Sequence, residues 1–156
     1  MTGVQTCALP IYHRLPADEY LVPIGKAVIK RPGADVTLVA THVSLYRSLA
    51  AADLLARDGI ECEVIDPLTL LPLDGDTIFG SVRRTGRLVV VHEDSLTGGW
   101  GAEIAARAAD ECLSYLEGPV KRAASKDAPM PAAPVLEQAV LPQVADIVAA
   151  VREAVA

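Results

Sequence analysis

The chain has 156 residues, of which 51% are apolar, and it carries a formal net charge of −6 at pH 7. This length favours one domain with a single core, and no basic run exceeds the pairs at 83–84 and 121–122, so we expect no nucleic-acid partner. We expect no membrane partner, because the apolar stretches are shorter than the roughly 20 residues that a membrane span needs. The three cysteines are too scattered for a disulfide framework, so we expect a cytoplasmic protein.

The first eleven residues differ in character from the rest. Residues 1–11 resemble the in-frame translation of a sequencing-library adapter, and the match runs through all the residues after Met1. We therefore interpret them as an artefact and exclude them, with Cys7, from the fold. The alternative is an ordinary, poorly ordered N-terminus. Residues 12–35 are then predicted to be a linker and the first strand, and 36–156 the main domain.

Strand and helix signals alternate from the start of this region. Residues 24–30 predict a short strand, and the Pro and Gly of residues 31–35 predict a turn. Residues 36–40 are apolar almost throughout, which is typical of a strand covered on both faces. A helix ending near Gly59 should follow, because apolar residues recur at helical spacing: Leu45, Leu49, Ala52 and Ala56.

The alternation then repeats. Residues 61–66 predict a strand, and Asp74 is placed to cap a helix that ends at Gly86. Residues 87–91 are the most convincing candidate for a buried strand. The next helix, over about 101–116, places three residues on one face: Ile104, Ala108 and Cys112.

The end of the chain follows a different pattern. Residues 120–124 predict another short strand, and four prolines then predict an extended strap without regular structure over 125–142. The C-terminal helix has one apolar stripe: Val144, Ile147, Val148, Val151 and Val155. We predict an α/β fold with three α/β/α layers and a mainly parallel sheet of about five strands, in an order that the sequence leaves open.

Six motifs occur in an order that one family shares: Pro23–Ala27, Val64–Asp66 with Thr69–Asp74, Arg84–Glu93, Thr97–Ile104, Pro119–Arg122 and Leu141–Arg152. Residues 12–156 thereby resemble the transketolase C-terminal domain in beta subunits of thiamine-diphosphate-dependent 2-oxo acid dehydrogenases, which act on pyruvate, branched-chain 2-oxo acids or acetoin. Many relatives have Arg where Leu68 stands, so a contact made by that arginine would be lost.

The resemblance implies oxidative decarboxylation of a 2-oxo acid, with acyl transfer to lipoyl-lysine. It implies an alpha2-beta2 tetramer of an alpha subunit and two beta subunits, docked on a lipoyl acyltransferase core. Thiamine diphosphate with Mg would bind in the full enzyme, to a domain outside this chain. We therefore expect a fragment that serves subunit assembly and partner docking and is inactive alone. Two alternatives stay open: the last domain of a transketolase or deoxyxylulose-phosphate synthase, and a stand-alone, non-catalytic α/β binding module.

The loop after the strand predicted at 87–91 carries the interface candidates: His92, Glu93, Thr97, Gly98, Gly99, Trp100, Gly101 and Glu103. A serine triad with Asp94 and Ser95 or Ser44 lacks the Gly-x-Ser-x-Gly elbow. The glycines suit close packing better than a phosphate, because the Lys-Ser/Thr of a nucleotide loop is missing. Trp100 suits an interface or the core equally well.

No catalytic, cofactor-binding or metal residue is predicted. The histidines and cysteines have no ligand-like spacing, and function has to be argued from site geometry. The acidic surplus suits either a basic docking partner or simple solubility. If surface that normally meets other subunits is exposed, the chain alone should self-associate or bind apolar dyes.

Overall fold

A computed structural model describes residues 21–156. The predictions for residues 1–11 and for 12–20 lie outside the described residues. The elements in chain order are β1 (Val28–Arg31), β2 (Val36–Ala40), α1 (His42–Arg57), β3 (Cys62–Asp66), α2 (Gly75–Thr85), β4 (Leu88–Ser95), α3 (Gly101–Cys112), a 3-10 turn (Leu113–Tyr115), β5 (Lys121–Ser125), α4 (Pro134–Val140) and α5 (Val144–Val155).

The five strands form one sheet in the order β1-β3-β2-β4-β5. Strands β2 to β5 are parallel, and β1 pairs antiparallel with β3 at one edge. In the centre, Leu38 stands opposite Val64 on one side and Val89 on the other. The predicted fold class, a mainly parallel sheet of about five strands, is confirmed.

Helices cover both faces of the sheet. Val36 and Leu38 pack with α1 and α5 in one core cluster, while Val39 and Val90 pack with α2 and α3 in the other. Successive residues of a strand point to opposite faces, so a strand buried on both faces must be apolar throughout. This explains why β2 and the first part of β4 are continuous apolar runs.

Asp74 and Gly86 determine where α2 begins and ends. Asp74 is the N-cap of α2 and accepts a hydrogen bond from the Thr77 amide, and Gly86 ends the helix in the left-handed conformation at φ 68°. Both were predicted from residue type. Asp74 also accepts a hydrogen bond of 3.0 Å from the Ala27 amide, which ties the segment before β1 to α2.

The region after β5 differs from the prediction. Residues 125–142 were expected to be an extended strap, but Pro134–Val140 form α4 with the proline in the first turn. The expectation was wrong for this part because the first helical turn needs no amide donor from proline. Smaller differences concern the bounds of other elements. Strand β1 covers Val28–Arg31, whereas the sequence predicted a strand over 24–30. Strand β4 continues to Ser95, and α3 ends at Cys112 before the 3-10 turn.

Residues 134–155 are long and apolar enough to cross a membrane, judged by length and composition alone. The structure divides this stretch into α4 and α5 at Leu141–Gln143, and neither helix has the roughly 20 residues of a span. Ile147 and Val151 of α5 are buried against α1 and the sheet. We therefore describe α5 as a core helix of the domain.

Candidate interaction site

The candidate site lies at the carboxyl ends of β2 and β4. These strands are neighbours, but α1 follows β2 onto one face of the sheet and α3 follows β4 onto the other. Such a switch point is where open α/β sheets usually place functional loops. His42 Nδ1 lies 3.3 Å from Glu93 Oε2 across this point. Sequence reasoning missed this pair, although His42 lies two residues after the end of a predicted strand.

His92 fills the space under the glycine loop. Its ring is fully buried and lies 5.2 Å from the Trp100 ring. A Cβ atom at Gly99 would clash with the Ser95 carbonyl oxygen and would also lie 2.8 Å from His92 Cε1. A Cβ atom at Gly101 would overlap the imidazole. Gly99 is therefore required mainly by the backbone of its own loop, and Gly101 by the close approach of the His92 ring. The geometry supports the packing interpretation of the glycines.

No serine triad is assembled around His92. Neither ring nitrogen has a hydrogen-bond partner within residues 21–156. Burial lowers the pKa of His92 and outweighs the opposing effect of the Asp94 carboxylate, so the ring is neutral near pH 7. Asp94 Oδ1 accepts instead from the Ser95 amide at 2.8 Å. The imidazole therefore has the environment of a packed core side chain.

The start of the loop is fixed to the segment after β5. The amide and hydroxyl of Thr97 donate to the Asp127 carboxylate at 2.9 and 2.6 Å. These bonds lower the pKa of Asp127. The Arg122 guanidinium donates to the Leu96 carbonyl at 2.6 Å. A phosphate on this loop would meet a carboxylate already bound to the Thr97 amide, which does not favour anion binding. Asp127 is 30 residues from Thr97, and no local sequence signal connects them.

Trp100 and Glu103 line a small apolar cavity on the outside of α3. Its volume is about 200 Å³, and its other lining residues are Leu70, Leu71, Leu73, Ile104 and Arg107. Leu71 is 93% exposed, although it belongs to the most apolar residue types. Leu68 is also exposed and has a φ of 57°. Trp100 thus belongs partly to the core cluster and partly to this surface.

The described residues offer no donor set for a metal or a diphosphate. Within residues 21–156, no three His, Cys, Asp or Glu side chains lie close enough to hold a metal ion. Cys62 and Cys112 are buried, and burial raises the pKa of the Cys62 thiol to about 12. The residues in hand do not fit magnesium diphosphate, so no step of thiamine chemistry is assigned to them.

The fold and the loop define the class of the protein: a three-layer α/β/α domain whose strand-end loops are occupied by packing. The family described as "Transketolase, C-terminal domain" matches residues 25–147. The chain belongs to this family. One similar solved structure agrees: a chain described as "Split gene transketolase, inactive beta4 tetramer" has a TM-score of 0.77 and 30% identity. The match covers 86% of this chain and 43% of that one.

Several similar curated proteins are pyruvate dehydrogenase beta subunits. The mitochondrial pyruvate dehydrogenase E1 component subunit beta-2 of Oryza sativa subsp. japonica is 44% identical over 94% of this chain and 39% of its own length. The mitochondrial subunit beta of Drosophila melanogaster is 47% identical over 92% of this chain and 40% of its own length. The subunit beta of Rhizobium meliloti (strain 1021) is 43% identical over 86% of this chain and 29% of its own length.

The chain therefore spans about two fifths or less of the length of these curated relatives. The predicted resemblance to the transketolase C-terminal domain of 2-oxo acid dehydrogenase beta subunits is confirmed. The interface role of the eight candidate residues stays a prediction.

Proposed function

We propose that this domain serves subunit assembly and partner docking in the decarboxylating component of a 2-oxo acid dehydrogenase. The observation that carries the proposal is the identity of 44–47% to two pyruvate dehydrogenase beta subunits along more than nine tenths of this chain. The close packing of the loop after β4 (residues 96–100) supports a role without catalysis. His92 is buried and packs against the Trp100 ring, with no side-chain base or nucleophile hydrogen-bonded to it among the described residues.

The complete enzyme would decarboxylate a 2-oxo acid oxidatively and pass the acyl group to lipoyl-lysine. Thiamine diphosphate with Mg would supply the decarboxylation chemistry from outside residues 21–156. The partners in this proposal are an alpha subunit, a second beta subunit and the lipoyl acyltransferase core. The exposed Leu71 and the half-buried Trp100 support a partner-covered surface, and the net charge of −6 suits a basic docking module. A cytoplasmic location stays a prediction.

A domain exchange tests the proposal. Residues 21–156 would replace the matching domain of the Rhizobium meliloti beta subunit, which would be expressed with its own partner subunits. We expect a complete assembly with pyruvate-dependent turnover within about tenfold of the parent, or about 1.4 kcal/mol in activation free energy. The matched control exchanges in the corresponding domain of the split gene transketolase.

Two results would contradict the proposal. The first is an exchanged subunit that has native circular dichroism but does not assemble. The second is a transketolase exchange that assembles and turns over equally well, which would favour the alternative of a transketolase or deoxyxylulose-phosphate synthase domain.

A further inference from the structure

The buried ring of His92 supports the second half of the loop after β4. Its Nε2 faces Gly101 so closely that a Cβ atom there would overlap the ring, and its Cε1 faces Gly99. The half-buried Trp100 lies between these two glycines and packs against the same imidazole, with the ring centroids 5.2 Å apart. Three consecutive residues therefore rest on one titratable side chain.

The two halves of this loop are held in different ways. The Leu96 amide donates to the Ser125 carbonyl at 2.9 Å, which ties the first half to β5. Thr97 adds two hydrogen bonds to the Asp127 carboxylate. Gly98 then has a φ of 78° and open space around it, so its backbone can turn without meeting a neighbour. Gly98 is therefore placed to act as a hinge between the fixed half and the half that rests on the imidazole.

The surroundings of the His92 ring suit its neutral form. The ring is fully buried, and neither nitrogen has a hydrogen-bond partner in the part of the chain that the structure describes. Burial has the largest effect and lowers the pKa of His92, Asp94 raises it through its carboxylate and backbone, and the Arg122 guanidinium on β5 lowers it. On α3, the charged groups of the first two turns, Glu103 and Arg107, line the outer cavity. A proton on the ring would place a charge where water is excluded, which costs free energy unless the loop opens.

We infer that His92 is a pH-sensitive latch on this loop: protonation of the ring releases residues 98–100 and moves Trp100 out of its place in the domain surface. Histidine suits this role because, once exposed, it titrates near pH 6.5 and so gains its charge between pH 7 and pH 5. The closed loop is favoured above about pH 6.5, where the ring is neutral. This preference is lost as the pH falls toward the lower pKa of the closed state.

The consequence for a partner follows from the position of Trp100. Its side chain lines the cavity of about 200 Å³ beside Leu71, on the surface that the proposed function assigns to a partner. When the loop opens, the cavity loses this wall, so acidification should weaken the assembly. This consequence rests on the proposed function, whereas the latch itself does not.

Hydrogen exchange of the full 156-residue chain measures the opening. After correction for the intrinsic effect of pH on exchange, the opening of residues 98–100 should rise up to about tenfold for each unit that the pH falls below 6.5, because one proton is taken up. The amides of β2 should not follow, because they exchange only when the core opens. Opening that does not rise between pH 7 and pH 5, or that rises only together with exchange in β2, overturns the inference.

Two histidine variants assign the proton. His92→Phe keeps an aromatic ring under the loop but cannot be protonated, so it should remove the dependence of loop opening on pH. The matched control is His42→Gln, which removes an exposed histidine at the same end of the sheet and should leave that dependence unchanged. A dependence that persists in His92→Phe, or that disappears in His42→Gln, contradicts the assignment to His92.

An NMR titration of the unchanged chain tests the latch without a substitution, so it decides the matter even if His92→Phe does not fold. The His92 ring should titrate below pH 6.5, and the indole signal of Trp100 should change with the same midpoint. That signal is unambiguous because the sequence has a single tryptophan. A ring that titrates at the ordinary value near pH 6.5, or an indole signal that does not follow it, would reject the latch.

Loop opening in the isolated chain and assembly after the domain exchange are separate measurements. A latch that works in a domain that fails the exchange would support the inference and reject the proposed function. A domain that assembles in the Rhizobium meliloti enzyme but shows no pH-dependent opening would reject the latch and leave the proposed function standing.

Discussion

The Asp74 carboxylate connects the segment before β1 to the first turn of α2. The side chain is 5% exposed and accepts hydrogen bonds from the Ala27 amide at 3.0 Å, the Thr77 amide at 3.3 Å and the Thr77 hydroxyl at 2.9 Å. Asp74→Ala removes the helix cap, which costs about 1 kcal/mol. It also leaves the partly buried Ala27 amide without an acceptor, which costs about 1–3 kcal/mol more. We expect a loss of about 2–4 kcal/mol in the free energy of unfolding.

Urea unfolding followed by circular dichroism measures this loss. Asp76→Ala is the matched control, because Asp76 is exposed in the first turn of the same helix and contributes only through the helix dipole, about 0.5 kcal/mol. Asp74→Asn keeps one acceptor oxygen and should fall between the two. If Asp74→Ala costs no more than Asp76→Ala, the three hydrogen bonds do not stabilise the domain and the reasoning is refuted.

The same carboxylate predicts a dependence on pH. Hydrogen bonds from the Ala27 and Thr77 amides lower the pKa of Asp74 in the folded state, while an unfolded aspartate titrates near 3.9. Its contribution is therefore fully present above about pH 4 and is lost as the pH falls through the lower folded value. The difference in stability between the unchanged chain and Asp74→Ala should shrink below pH 4. A difference that stays constant from pH 6 to pH 2.5 would contradict this assignment.

Three further predictions concern buried groups. Gly101→Ala should lower the free energy of unfolding by about 1–3 kcal/mol, because the new Cβ meets the His92 ring. Gly80→Ala has open space around it and should raise the free energy of unfolding by about 0.5–1 kcal/mol through α2. Urea unfolding measures both changes. Burial lowers the pKa of His92 in the folded state. The contribution of the neutral ring to the free energy of unfolding is therefore complete above about pH 6.5 and is lost as the pH falls. His92→Phe should make the free energy of unfolding less dependent on pH between pH 7 and pH 5. Arg84→Met leaves the buried Glu63 carboxylate without its ion-pair partner. In a double-mutant cycle, this single substitution should lower the free energy of unfolding by more than the double substitution Glu63→Met, Arg84→Met does.

Much of the fold follows from local sequence signals. Strand β2 was predicted with its observed bounds, because a strand covered on both faces has to be apolar at every position. The start and end of α2 were predicted from Asp74 and Gly86, because capping depends on one or two residues and their neighbours. These signals lie within a few residues of the feature they specify.

The parts that sequence reasoning missed are long-range or depend on position within an element. The pairs His42–Glu93 and Thr97–Asp127 join residues 51 and 30 positions apart, and each pair depends on the strand order, which the sequence left open. Helix α4 was missed because Pro134 was interpreted as a breaker, although a proline in the first turn is compatible with a helix. The cavity beside Trp100 required knowing that the loop at 70–73 packs against α3.

The loop after β4 and the neighbouring Leu71 show that residue type alone does not predict which side chains are buried. His92, Gly99 and Gly101 are residue types that often occur in active sites, but here each satisfies a packing contact of another. Leu71 is of a type that belongs in cores, but it is exposed beside a cavity. Polar groups that are buried without partners and apolar groups left in solvent both raise the free energy of an isolated domain. Close packing around the His92 ring offsets part of the first cost within the domain, and the proposed partner surface would remove the second by covering Leu71.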